Sequence, residues 1–343
     1  NINSGKVDKV AHVFDGVDST VASQRFASWT LFDSGNGHVL ASASSPTYPQ
    51  TLLYGKISEN FGPGQSSVIT WTVVQPPADA NNVLAELSEI SWKTYRIGDL
   101  PTIYEYIELL PKSAEANKGT VPLVVCPHGG PHSSWVTEFV IGNTFLVVNG
   151  MALILVNYRG SLGFGKTLLD SLPGKCGSQD VQECIASMEH TLSRNIVDKN
   201  KIAAVGGSHG GFLSGHLIGQ DKRFKAAVMR NPVTNVAVMS GITDIPEWCW
   251  VETGASSPDE VDIMMKKSPQ YHVSKVTAAT LLVLGDSDRR VPNLQGIQFH
   301  NELKKRGVPT AIKMYPKSAH AILKPELEAD QLMHTLLWLH KYL

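Results

Sequence analysis

The chain has 343 residues, with 30 Lys and Arg against 31 Asp and Glu and a formal net charge of −1. That length suits about two domains on a prior of ~150 residues each, and the charge balance gives no reason to expect nucleic acid or an anionic membrane as partner. Met151 to Val156, the longest apolar run of the sheet region, is far short of the ~20 residues that span a bilayer. Cys126, Cys176, Cys184 and Cys249 are too few and scattered for a disulfide framework and form no C-x-x-C pair, so a cytoplasmic protein is expected. The chain starts at Asn1 with no secretory signal, which reads as a fragment or a processed product.

Residues 1–80 alternate loosely between apolar and polar positions, the pattern of antiparallel strands. Phe26 to Asp33, the turn Ser34-Gly35-Asn36-Gly37 and His38 to Ser44 read as a hairpin. Further strands are expected over Thr51 to Lys56 and Ser67 to Val74, and Gln75-Pro76-Pro77-Ala78-Asp79-Ala80 reads as a domain boundary. From about Thr102 the pattern changes to apolar strands alternating with amphipathic helices, an α/β pattern with a mostly parallel sheet, in a domain expected over residues 81–343. Strands are expected at Ile103 to Leu110, Val121 to Cys126, Met151 to Val156, Lys201 to Val205, Ala226 to Met229, Thr280 to Leu284 and Thr310 to Tyr315. Helices are expected at Thr137 to Val148, Val181 to Ser193, Gly210 to Ile218, Leu294 to Lys305 and Leu327 to Tyr342.

The strand Lys201 to Val205 runs into Gly206-Gly207-Ser208-His209-Gly210, a G-x-S-x-G element before a helix. In that form a sharp turn lifts the serine hydroxyl above the sheet edge, the nucleophile elbow of an α/β-hydrolase. Ser208 then needs a histidine to take its proton and an acid to orient that histidine, in the order Ser, acid, His. Of the downstream histidines, His320 falls on a loop between the last strand and the last helix, whereas His300, His334 and His340 fall within helices. The acid belongs on the loop after Leu281 to Leu284, where spacing leaves Asp286 and Asp288 tied. Oxyanion donors are expected from the backbone N–H of His209 and from Gly130 or Gly129 in Pro127-His128-Gly129-Gly130-Pro131-His132. Each such donor is worth ~3 kcal/mol of transition-state stabilisation.

Gly160 to Thr167 also fits G-x-x-x-x-G-K-[ST], the spacing of a phosphate-binding loop. That loop needs a helix beginning at Lys166-Thr167, and Pro173-Gly174 would break such a helix within two turns.

His128-Gly129-Gly130-Pro131-His132-Ser133-Ser134, Asn157-Tyr158-Arg159-Gly160-Ser161, Gly206 to Phe212, Asp288-Arg289-Arg290-Val291-Pro292 and Tyr315-Pro316-Lys317-Ser318 together resemble the acylaminoacyl peptidases of the prolyl oligopeptidase family. The resemblance implies a catalytic triad of Ser208, Asp288 and His320, and it makes Gly160 to Thr167 a structural loop. It implies Arg290 on the carbonyl of the preceding substrate unit, and apolar walls from Trp248 with Ile245 and Trp250. The reaction implied is hydrolysis of the first bond of an N-acylated peptide, releasing an N-acyl amino acid, without metal or organic cofactor, in a homo-oligomer. A carboxylesterase and a catalytically silent hydrolase-fold fragment are the alternatives. The family carries a complete N-terminal β-propeller, of which residues 1–80 would hold only the last strands.

Overall fold

The structure, a computed structural model, describes residues 11–14, 22, 25–58, 68–77 and 83–343. Ser67 and Ala78-Asp79-Ala80, expected as a strand start and part of a boundary, lie outside them. Two compact units divide the chain: residues 1–91 with 136–144, and residues 92–135 with 145–343.

The first unit is a five-stranded sheet of β1 (Ala11–Phe14), β2 (Ser28–Gly35), β3 (His38–Ser45), β4 (Tyr48–Ile57) and β5 (Val68–Gln75), ordered β1-β5-β4-β3-β2. β2 to β5 pair antiparallel in succession, and β1 lies parallel to β5. The β2–β3 turn is tighter than its sequence suggests, with Asn36 at φ 50° and Gly37 at φ 78°. An Asn-Gly pair accepts this left-handed geometry and matches the twist of a hairpin. Leu53, Trp71, Ala41 and Ala43 form a small core, while seven of the eight positions of β2 are exposed.

The second unit contains an eight-stranded sheet of β6 (Ser91–Ile97), β7 (Tyr104–Leu110), β8 (Val121–Pro127), β9 (Ala152–Asn157), β10 (Val197–Gly207), β11 (Phe224–Arg230), β12 (Ala279–Gly285) and β13 (Thr310–Tyr315). Its order is β13-β12-β11-β10-β8-β9-β7-β6, parallel from β13 to β9 and antiparallel at β7. Every position of β9 and of β12 is buried, as expected of strands covered on both faces. The main helices of the whole chain are α1 (Ile141–Val148), which the division at residue 144 splits, and α2 (Gln179–Ser193), α3 (His209–Gln220), α4 (Pro246–Thr253), α5 (Leu294–Lys305) and α6 (Pro325–Tyr342) of the second unit. α1 begins four residues later than its apolar pattern suggests, and α4 and β6 have no counterpart among the expected elements.

Parallel strands put their carboxyl ends on one edge, which is where open α/β sheets collect ligand-binding loops. β10 ends at Gly207, β11 at Arg230, β12 at Gly285 and β13 at Tyr315. The loops that follow carry Ser208, Asn231, Asp288 and His320. Among the described residues no helix is long and apolar enough to cross a membrane.

Candidate active site

Ser208 sits between β10 and α3 at φ 58° and ψ −122°, a left-handed conformation that a residue with a side chain adopts only under strain. The flanking glycines make this turn possible by close approach. A Cβ on Gly206 would stand 2.3 Å from the Gly210 carbonyl oxygen, and one on Gly210 would stand 2.4 Å from that of Pro127. The Ser208 N–H donates to the Arg230 carbonyl at 2.9 Å and the Phe212 N–H to the Ser208 carbonyl at 3.0 Å, tying the turn to β11 and to α3.

The two tied acids separate. Asp288 has a side chain with no exposure, and its Oδ2 accepts from His320 Nδ1 at 2.7 Å. Its Oδ1 accepts from the N–H groups of Arg290 and Val291 at 2.9 and 3.0 Å. The His320 proton on Nδ1 is thereby fixed, leaving Nε2 as the basic nitrogen. Asp286 is exposed, and its Oδ1 accepts from the neighbouring Ser287 hydroxyl.

Asn231, at φ 41° and 1% exposed, joins these parts and was not singled out from the sequence. Its Nδ2 donates to the His320 carbonyl at 2.8 Å, its Oδ1 accepts from the Gly285 N–H at 2.8 Å, and its own N–H donates to Val283. One side chain thus holds the His320 loop to the end of β12, one residue beyond the carbonyl that accepts from Ser208. Gly285 permits the approach, since a Cβ there would lie 2.4 Å from the Ser318 carbonyl oxygen. The signal available in the sequence was an Asn-Pro pair directly after an apolar strand.

The H-G-G loop lies beside the elbow: a Cβ on Gly129 would meet the Gly207 carbonyl oxygen at 3.2 Å and Ser208 Cβ at 3.5 Å. Gly130 is exposed at φ 120°, so both glycines occupy positions where a side chain is excluded or strained. His128 Nδ1 donates to the Gly129 carbonyl at 2.7 Å, and its Nε2 lies 2.7 Å from Ser161 Oγ. Its ring stacks on Tyr158 at 4.4 Å, and Tyr158 Oη donates to the carbonyls of His128 and Pro131. Burial pushes the His128 pKa down to about 4, so the ring is neutral at pH 7. Asn157 exchanges two hydrogen bonds with the Trp135 backbone, so the Asn157-Tyr158-Arg159-Gly160-Ser161 segment braces this loop. The helix at Lys166 lasts only to Leu169, too short to present the N-terminus a phosphate loop requires.

His209 is fully buried, with Nε2 3.2 Å from Asp180 Oδ2. Trp248, on α4, stands edge-on to the His209 ring at 6.0 Å. Ile245 and Trp250 pack partly buried against the same core. Donor atoms of Cys176, Asp180 and His209 lie within 4.8 Å of one another. Burial, reinforced by Asp180 and Glu252, holds the Cys176 thiol well above its ordinary pKa. Arg290 is not free: its Nε lies 2.6 Å from Asp244 Oδ1 and its Nη2 3.3 Å from Oδ2.

Residues 138–343 match the prolyl oligopeptidase family. The chain belongs to that family. Within it, the chain is 38% identical to the acylamino-acid-releasing enzyme of Mus musculus, over 95% of this chain and 46% of the relative. It is 36% identical to that of Arabidopsis thaliana, over 92% of this chain and 44% of the relative. The chain therefore spans about half the length of the curated relatives it matches. Among solved structures, a puromycin-hydrolyzing peptidase of Mycobacterium tuberculosis matches with a TM-score of 0.80 at 22% identity, over 93% of this chain and 48% of the other. The acylaminoacyl peptidase of Pyrococcus horikoshii matches with a TM-score of 0.73 at 19% identity, over 91% of this chain and 56% of the other. These two likenesses establish the α/β-hydrolase fold that the family membership implies.

Proposed function

We propose that this prolyl oligopeptidase family member is a serine peptidase that hydrolyses the first bond of N-acylated peptides and releases an N-acyl amino acid. Ser208 attacks the carbonyl, His320 Nε2 takes its proton and passes it to the leaving amine, and water then cleaves the acyl-enzyme by the same route reversed. Asp288 keeps His320 in the tautomer that does this and stabilises the imidazolium. The N–H groups of His209 and of Gly130 or Gly129 stabilise the oxyanion. Arg290 takes the acyl carbonyl and Trp248 walls the pocket for the released residue.

The observation that carries the reading is the strained Ser208 bound to the β11 end, from which Asn231 holds the loop of the Asp288–His320 pair. The choice of N-acylated substrate rests on the relatives named acylamino-acid-releasing enzymes. The β2 to β5 meander supports reading residues 1–80 as strands of a β-propeller, with residues 81–343 as the catalytic domain. A homo-oligomer is part of the same proposal and rests on the family resemblance alone. The experiment is product analysis with matched acetylated and unblocked alanyl peptides. Release of N-acetylalanine from the first supports the proposal, and cleavage of simple esters alone would favour a carboxylesterase.

A further inference from the structure

Arg290 and Asp244 face each other as a guanidinium and a carboxylate in a two-point contact, with side chains 44% and 45% exposed. Their meeting is fixed by backbone as well as by charge. The Thr243 hydroxyl donates to the Arg290 carbonyl at 2.6 Å, the Asp244 N–H donates to the Arg289 carbonyl at 3.2 Å, and the Ile245 N–H donates back to Thr243 Oγ1. The segment that leads into α4 is therefore fastened to the loop that carries Asp288. The bond from Arg290 holds the Asp244 carboxyl below its ordinary pKa, with a further contribution from His320, so it is ionised at neutral pH and within electrostatic reach of the candidate base.

A guanidinium has five N–H donors, and two of its nitrogens face Asp244. Donors remain for a neutral carbonyl oxygen, but the net charge of the pair is zero. An acyl group ending in a carboxylate would gain little from Arg290 and would be repelled by Asp244. We propose that Asp244 is a specificity-determining residue that cancels the charge of Arg290, so that the site takes an uncharged acyl group and rejects an anionic one. The inference rests on the reading of Arg290 as the group that holds the acyl carbonyl.

The test compares kcat/KM for the p-nitrophenyl esters of N-acetylalanine and N-succinylalanine, whose acyl groups differ by a carboxymethyl group and so by one negative charge. Esters are cleaved by any serine hydrolase with a working triad, so failure of the peptidase reading leaves this comparison intact. Both substrates use the same His320, so any effect of Asp244 on that ring cancels in the ratio. In Asp244→Asn the succinyl-to-acetyl ratio should rise by roughly tenfold, the effect of one unopposed charge a few ångströms away at the protein surface. The gain should shrink at 1 M salt and vanish when Arg290→Met is added. Thermal unfolding of each variant checks that the fold persists. An unchanged ratio in Asp244→Asn, a rise that survives Arg290→Met, or loss of all turnover in Asp244→Asn would each overturn the assignment.

Discussion

Asp288 and Asp244 lie on adjoining loops and each holds a basic side chain, yet in opposite surroundings. Asp288 is wholly buried, uses both oxygens, and meets a histidine whose loop is clamped by Asn231. Asp244 is half exposed and meets an arginine that is equally open to water. Exposed ion pairs are worth little and rearrange cheaply, whereas a buried carboxylate with three donors keeps one geometry. The buried pair is therefore suited to orienting a base through a reaction, and the exposed pair to meeting an incoming ligand.

The largest effects should fall on the buried side of this comparison. Ser208→Ala and His320→Ala should each lower kcat by roughly 10⁴- to 10⁶-fold, and Asp288→Asn by roughly 10⁴-fold, as read by ester turnover. Asp286→Asn should change kcat less than about twofold, since its carboxylate is exposed and bonds only the next residue among the described contacts. A damaging Asp286→Asn with a harmless Asp288→Asn would reverse the contrast.

Acid should loosen the brace beneath the H-G-G loop. The His128 pKa falls from its ordinary value of 6.5 to about 4 on folding, so between these values the unfolded chain binds a proton that the folded chain does not. Stability then rises with pH across that window and is lost as pH falls from 6.5 toward 4, by about 3 kcal/mol from His128. His216, pushed by burial to about 3, acts in the same direction. Urea unfolding at pH 7 and pH 4.5 checks this, and equal midpoints would contradict it.

A smaller effect is expected at Asn231. Asn231→Ala removes the bonds to Gly285 and His320 and should lower kcat roughly 10- to 100-fold with little change in KM, as a misplaced base would. A change confined to KM would place Asn231 in substrate binding instead.

The parts legible in the sequence are those fixed by local pattern. β9 and β12 read as apolar runs because both their faces are covered, and the elbow reads from its G-x-S-x-G spacing, in which Gly206 closes against the Gly210 carbonyl four residues on. α5 matches its amphipathic pattern from Leu294 to Lys305. β6 went unread because none of its positions is buried and it carries Lys93 and Arg96 as an edge strand. α4 went unread because its apolar residues do not gather on one face of the helix. The tie between Asp286 and Asp288 could not break locally, since the deciding contact spans 32 residues. The roles of Asn231 and Asp244 are hidden for the same reason, their partners lying 46 to 89 residues away, although the Asn-Pro pair after β11 marks the position of Asn231.

The most direct measurement of the central claim is turnover of an acetylated alanyl peptide beside the same peptide with a free N-terminus, in the native chain and in Ser208→Ala. The account expects N-acetylalanine from the first, turnover of the second at least roughly 100-fold slower, and neither in Ser208→Ala. Equal or faster cleavage of the unblocked peptide, or cleavage that persists in Ser208→Ala, would contradict it.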